Sequence, residues 1–284
     1  MKRLASIPAA TVAVVATLAV VWAGPARAQE PTWNRDRGPT EPRLALFHST
    51  QAVNLPTVET LNGGELLFEI AHRFEPAISE AEDALFGLDG PVFLRLGLAY
   101  ALTDRVMVGV TRSNLQDNWD LNVKARLAGI RGGLPLMIGV AGGFAYNGEL
   151  PASAERESQL YGQLILNTML GERVGLGVVP WVLRDPDLEL AEAETALGVG
   201  LYGQWYLSDQ ASVLFEWNAT EGYSDYTEDA GTLALELETG GHFFKLMVTN
   251  SVRPNPSQFL AGADVPFEPD EWRLGFNITR VLVF

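Results

Sequence analysis

Glu271-Trp272-Arg273-Leu274-Gly275-Phe276-Asn277-Ile278-Thr279-Arg280-Val281-Leu282-Val283-Phe284 closes the chain, and its period decides the fold. Trp272, Leu274, Phe276, Ile278, Leu282 and Phe284 fall at one parity, and Arg273, Gly275, Asn277 and Thr279 at the other. Residues two apart on a strand share a face, so this is a strand with one apolar and one polar wall. About ten residues in that pattern match the apolar band of a bacterial outer-membrane barrel.

Both ends of the chain carry the same address. Phe284 on such a strand resembles the signal that outer-membrane proteins present to the barrel-assembly machinery. That machinery is therefore an expected partner, together with outer-membrane lipid. At the other end, Lys2 and Arg3 precede an apolar run over 9–23, and Ala26-Arg27-Ala28 forms a small-x-small cleavage site. The pattern predicts a secretory signal peptide over residues 1–28 and a mature chain from Gln29. No Cys follows the apolar run, which excludes a lipoprotein anchor.

Composition removes whole function classes. The formal net charge is −15; losing Lys2, Arg3 and Arg27 with the leader takes it to about −18. Phosphate binding needs a basic patch, so no nucleic-acid partner is expected. With no Cys there are no disulfides, thiolate metal sites or Cys nucleophiles. After residue 28 no apolar stretch reaches the roughly eighteen residues of a spanning helix. Yet 47% of the residues are hydrophobic. Dispersed at period two, they suit a membrane barrel.

Twelve segments alternate in this way: 65–74, 91–101, 105–113, 118–129, 134–146, 158–170, 172–183, 194–207, 210–220, 231–239, 241–251 and 271–284. Their connections alternate between short turns, such as Thr103-Asp104 and Gly240-Gly241, and longer loops, such as 75–90 and 252–270. Short periplasmic turns and long extracellular loops are the topology of an up-and-down transmembrane β-barrel, and an even strand count puts both termini in the periplasm. The expected fold class is all-β, an antiparallel barrel of about twelve strands over 65–284.

A charge at the bilayer midplane costs about 2–4 kcal/mol on a lipid-facing wall, so the charged parity is the lumen. That logic makes Glu69, Arg73, Arg95, Lys124, Arg126, Arg173, Glu216, Glu236, Glu238, Lys245 and Arg273 the candidate lumen-lining residues. Gly97, Gly139, Gly143, Gly175, Gly177, Gly198 and Gly200 share the inner parity. Arg280 turns outward near the periplasmic rim, where a long side chain snorkels. Phe74, Trp119, Phe144, Tyr146, Trp217 and Trp272 are expected in an outer aromatic girdle. Tyr100, Trp205, Tyr206 and Phe284 are expected in a periplasmic one.

Residues 29–64 do not read as barrel. Pro31, Pro39, Pro42 and Pro56 interrupt any long strand. A periplasmic arm, a partial lumen plug and a disordered leader all fit such a segment. The strings Asn54-Leu55-Pro56-Thr57-Val58-Glu59-Thr60-Leu61 and Gly64-Glu65-Leu66-Leu67-Phe68-Glu69-Ile70-Ala71-His72-Arg73-Phe74 resemble a family of bacterial membrane-bound β-barrels classed as a domain of unknown function. The resemblance implies the barrel fold over most of the mature chain and supplies no activity, ligand or catalytic residue.

Chemical motifs add little. Gly198-Val199-Gly200-Leu201-Tyr202-Gly203 matches G-x-G-x-x-G. That motif binds dinucleotides only where a strand ends and a helix begins, and here the alternation runs straight through. Asp185-x-Asp187-x-Glu189 imitates a calcium loop, but Leu190 and Ala196 stand where the Gly and closing Glu belong. His48, His72 and His242 are the only imidazoles: His48 precedes the barrel, His72 falls near an extracellular end, and His242 starts a strand at the periplasmic end. His72 turns outward as an interfacial ring. A hydrolase at the outer rim would need a Ser or Asp partner that no position supplies. No catalytic residue, cofactor or metal site is expected.

The reading that results is an outer-membrane barrel serving as a small channel or binding barrel for a small polar or charged solute. The alternatives are a plugged structural or docking barrel and, behind it, an outer-membrane hydrolase. Rings of charge select ions, and equally lock together across a narrow lumen.

Overall fold

The computed structural model describes residues 45–221 and 228–283. The expected signal peptide, residues 29–44 of the arm and Phe284 lie outside the described residues. Among those described, twelve strands follow in order: β1 (Leu66–Ala77), β2 (Val92–Thr103), β3 (Val106–Ser113), β4 (Asn118–Ile130), β5 (Leu136–Asn147), β6 (Ser158–Leu170), β7 (Val174–Arg184), β8 (Thr195–Tyr206), β9 (Ala211–Thr220), β10 (Ala230–Thr239), β11 (His242–Thr249) and β12 (Arg273–Leu282). Each pairs antiparallel with its neighbours in sequence. β12 closes on β1, with Leu66 opposite Leu282 and Ile70 opposite Ile278. Closure leaves no open edge, and the ladder satisfies the backbone polar groups that lipid cannot. No helix among the described residues is long and apolar enough to cross a membrane; the chain crosses with strands.

The alternation sorts the walls as the pattern requires. On β4, Leu121 is 58% exposed and Asp120 is 0% exposed, although they are adjacent. Leu197, Leu246 and Leu164 face outward likewise, while Arg73, Arg95 and Lys245 are buried inside. Short turns gather at one end. Gly240 and Gly241 join β10 to β11 there with φ of 54° and 84°, the left-handed pair that a tight hairpin demands. Longer connections gather at the other end, which is the extracellular one in an outer-membrane barrel. Trp119, Phe144 and Tyr146 are exposed at the loop end, and Tyr100 and Trp205 at the turn end. Tyr206 departs from the expected periplasmic girdle. It follows Trp205 on the same strand, so it turns inward and is buried.

The lumen is not an aqueous bore. Two segments fold into it. Residues 45–64 enter at the turn end, bend between Ala52 and Leu55, and return to start β1. Ala52 N–H donates to Leu55 C=O at 2.9 Å, and Thr57 N–H donates to Thr50 C=O at 3.1 Å. From the loop end, the connection between β11 and β12 folds inward and carries a short helix, α1 (Pro256–Leu260). Phe47, Val53, Leu55 and Val58 of the first segment and Phe259, Leu260 and Ala263 of the second pack with Ile165, Trp181 and Leu214 of the wall in one buried cluster. The barrel therefore has an apolar core inside as well as an apolar band outside.

Candidate functional site

Residues 45–64 form a plug whose backbone is held by side chains of the wall. The Glu216 carboxylate on β9 accepts N–H groups from Val53, Asn54 and Leu55 at 2.9–3.1 Å. The Lys124 ammonium on β4 donates to the carbonyls of Thr50 at 2.6 Å and Thr57 at 3.1 Å. Lys245 on β11 donates to the carbonyls of Gln51 and Ala52 and to Ser49 Oγ, and pairs with Glu236 at 3.2 Å. Asn167 Oδ1 accepts from Val58 N–H at 2.8 Å, Asn277 Nδ2 donates to Val53 C=O at 3.0 Å, and Tyr202 OH donates to Pro56 C=O at 3.0 Å. A chain crossing a lumen without a ladder would leave its backbone unsatisfied, and these side chains take the place of the ladder.

The inner glycines make the room. A Cβ on Gly175 would sit 2.6 Å from the Phe47 ring, one on Gly200 would sit 2.5 Å from Leu55 Cδ1, and one on Gly139 would sit 3.2 Å from Val58. Sockets for three plug side chains thus lie where the strands omit a side chain. Gly198 sits beneath Trp181 of the neighbouring strand. The G-x-G-x-x-G string lies wholly within β8, a strand that opens no helix.

The plug and the inward outer loop are joined through one ion pair. Arg95 NH2 donates to Glu69 Oε1, and Arg95 NH1 donates to the Pro254 carbonyl of the outer loop. Glu69 Oε1 also accepts from Gln51 Nε2 of the plug. Asn255 docks the same loop on Asn118 and accepts from Thr111 Oγ1 at 2.9 Å, while Asn218 Nδ2 donates to the carbonyls of Phe259 and Leu260 at 3.2 Å.

The candidate charges fall into three groups. Glu69, Arg73, Arg95, Lys124, Glu216, Glu236 and Lys245 are buried within the barrel, where they hold the plug, the outer loop or one another. Arg73 reaches Asn54 Oδ1 at 2.9 Å and Asn277 Oδ1 at 2.8 Å. Rim positions make up the second group. Arg273 pairs with Asp264 at 3.1 Å near the loop end. Glu238 accepts from His48 Nδ1 at 2.8 Å at the periplasmic mouth. Arg126 donates to the Asp104 carbonyl at 3.0 Å, next to a register shift between Arg126 and Ala128. Arg173 forms the third group, as a correction to its expected place on the inner wall. It lies exposed in the turn before β7, because that strand starts only at Val174.

The remaining motifs resolve simply. Asp185 faces Arg156 and Arg184 at 3.4 and 3.6 Å, Asp187 Oδ1 accepts from Glu189 N–H, and Glu189 accepts from Ser153. These carboxylates are engaged separately, and among the described residues no group of three or more His, Asp or Glu could hold a metal ion. His72 is stacked on Phe276 with ring centres 4.9 Å apart and lies edge-on to Phe74 at 4.7 Å, in the lipid-facing aromatic wall.

The model of a family described as a membrane bound beta barrel domain, DUF5777, matches residues 47–282. The chain belongs to this family. The match starts at Phe47, so the DUF5777 domain takes in the plug as well as the barrel, and the protein is a bacterial outer-membrane barrel. Similar solved structures include the NanC porin (10% identity, 77% of this chain and 99% of that one, TM-score 0.47). The COG4313 outer membrane channel from Pseudomonas putida F1 is also similar (13% identity, 79% and 98%, TM-score 0.45). So is outer membrane phospholipase A from Escherichia coli (13% identity, 78% and 90%, TM-score 0.37). These are distant likenesses between barrels, too remote to carry a function across. Among proteins with curated functions none matches.

Sequence reasoning missed Asn167, Tyr202 and Asn277 as plug anchors, and it left the loop over 252–270 outside the barrel. A signal existed. Asn277 shares its inward parity with Arg273, Gly275 and Thr279, and Asn167 shares its own with Gln159, Tyr161, Gln163 and Ile165; a ring and an aliphatic side chain at inward positions suit a filled interior better than a water-filled bore.

Proposed function

We propose that this protein is a plugged outer-membrane conduit for a small polar solute, closed at rest by its own residues 45–64. The observation that carries this reading is how the plug is held. Lys124, Lys245 and Glu216 all bind plug backbone, and none of them is covalently or topologically locked to it. Were the plug to leave, these groups would line a polar passage through the barrel, and the field of a few charges in a low-dielectric wall would select what passes. A barrel that is purely structural has no use for so charged an interior, since buried charges cost more than well-packed apolar side chains. Among the described residues the plug is one continuous stretch, joined to the barrel through the chain where it runs into β1, so it can move as a unit. Its apolar side chains keep the closed state dominant, each contributing about 1.5–3 kcal/mol on burial.

Planar-bilayer recording tests this directly. The intact protein should be nearly silent, and a variant lacking residues 45–58 should give steady, ion-selective conductance. A deletion variant that folds, shown by a heat-dependent gel shift, and still passes no current would leave the plugged structural barrel as the correct account.

A further inference from the structure

Plug and outer loop do not meet flush. A cavity of about 110 Å³ lies between them, bounded by Gln51 and Asn54 of the plug, Pro256 of α1, and Asn122, Lys124 and Gln163 of the wall. Its charged lining is the Glu69–Arg95 ion pair and Lys124. Arg95 is engaged by Glu69 and the Pro254 carbonyl, and Lys124 by the carbonyls of Thr50 and Thr57. A charged ligand would have to displace one of these buried partners, which is costly.

What the Glu69–Arg95 pair leaves open, Arg95 Nε and the second Glu69 oxygen, belongs to one ion pair without net charge, and the other open groups are neutral. Among the described residues the Gln163 carboxamide makes no hydrogen bond, although the residue is only 7% exposed. Asn122 spends its Nδ2 on Asp120 and Gln51 spends its Nε2 on Glu69, so each turns a carbonyl oxygen to other partners. The site therefore mixes acceptors with one carboxamide that both donates and accepts. A hydroxyl group satisfies either kind. Leu67 and Met107 border the same space and suit the carbon skeleton of such a molecule. An engineered cavity of about 150 Å³ holds benzene with its six heavy atoms, so a cavity of this volume suits a molecule of about that size, such as the triol glycerol.

We propose that this cavity binds a small neutral polyol of about three carbons, held between the plug and the outer loop as the solute of the conduit. The proposal rests on the plugged-conduit reading for its role in passage, and on the cavity alone for binding. Solute held there lies on the passage that the plug obstructs.

The test uses the full-length protein in detergent micelles, with radiolabelled glycerol in equilibrium dialysis. Saturable binding is expected, with erythritol competing and acetate and methylammonium not. Gln163→Leu keeps the bulk of the side chain and removes its hydrogen bonds, and should weaken binding by about tenfold or more. Asn122→Leu provides a second variant, with fold checked in both by the heat-dependent gel shift. Absence of saturable glycerol binding, equal binding by both folded variants, or equal competition by the charged probes would overturn the site. If the plug-deleted barrel conducts but the intact protein binds no glycerol, the site is wrong and the conduit stands. If glycerol binds but the plug-deleted barrel is silent, the site stands and the conduit falls.

Discussion

Glu216 holds Asn54 twice, accepting its backbone N–H at 2.9 Å and its carboxamide N–H at 2.8 Å. The same carboxylate takes the N–H groups of Val53 and Leu55. A fully buried carboxylate must be paired or lavishly hydrogen-bonded. Here its partners are the successive amides of one bend, and those amides, deep inside a barrel, needed an acceptor as badly. Each group removes the desolvation cost of the other, which places the plug tip at one depth and in one register.

Glu216→Gln should loosen the tip without unfolding the wall. The amide retains one acceptor oxygen and turns an N–H₂ toward donors, at a cost of about 3 kcal/mol. Hydrogen exchange should speed up at the amides of residues 53–55 and stay slow in β6 and β7. Unchanged exchange at those three amides would show that the anchor lies elsewhere.

Lys245→Met should cost more. It strands three plug acceptors and leaves the Glu236 carboxylate, 3% exposed, without its cation. Breaking a buried pair from one side typically costs about 3–5 kcal/mol. Adding Glu236→Gln removes the stranded charge, so the double variant should recover part of that loss. Urea titration followed by tryptophan fluorescence measures both, and a double variant no better than the single one would argue against the pair.

Gly175→Ala tests the sockets. Its methyl would lie 2.6 Å from the Phe47 ring, an overpacking that costs about 1–3 kcal/mol. Phe47→Leu in the same chain should relieve it. The readout is proteolytic clipping within residues 45–58, raised in the single variant and lower in the double. Equal clipping in wild type and Gly175→Ala would mean that Phe47 does not occupy the socket.

Membrane depth can be separated from exposure. Leu121, the fourth residue of β4 and on its lipid wall, and Leu134 in the turn after that strand are both 58% exposed. Leu121→Arg places a charge against the hydrocarbon core and should destabilise the barrel by about 2–4 kcal/mol, whereas Leu134→Arg at the rim should cost about 0–1 kcal/mol. Similar losses for both in lipid vesicles would contradict the transmembrane placement.

Legibility divided along a physical line. The barrel was readable because its evidence is local: Leu121 and Asn122 differ in parity, and parity alone sends one to lipid and the other inward. Strand number, closure and the inward turn of Glu69, Lys124, Glu216 and Lys245 follow from that period. Arg173 and Tyr206 escaped it at strand ends, where a residue's parity no longer says whether the strand still continues or which wall a neighbouring ring will take.

What those inward charges do was settled only by the tertiary structure. Lys124 meets Thr50 and Thr57, Lys245 meets Ala52, and Glu216 meets Val53, Asn54 and Leu55 across sequence separations no local pattern spans. The contacts are also made to backbone amides and carbonyls, which every residue type possesses alike. A side chain that binds another side chain leaves a mark at both positions, but a side chain that binds backbone leaves its mark at one. The wall therefore announced its charges in the sequence, and the plug that occupies them could remain silent.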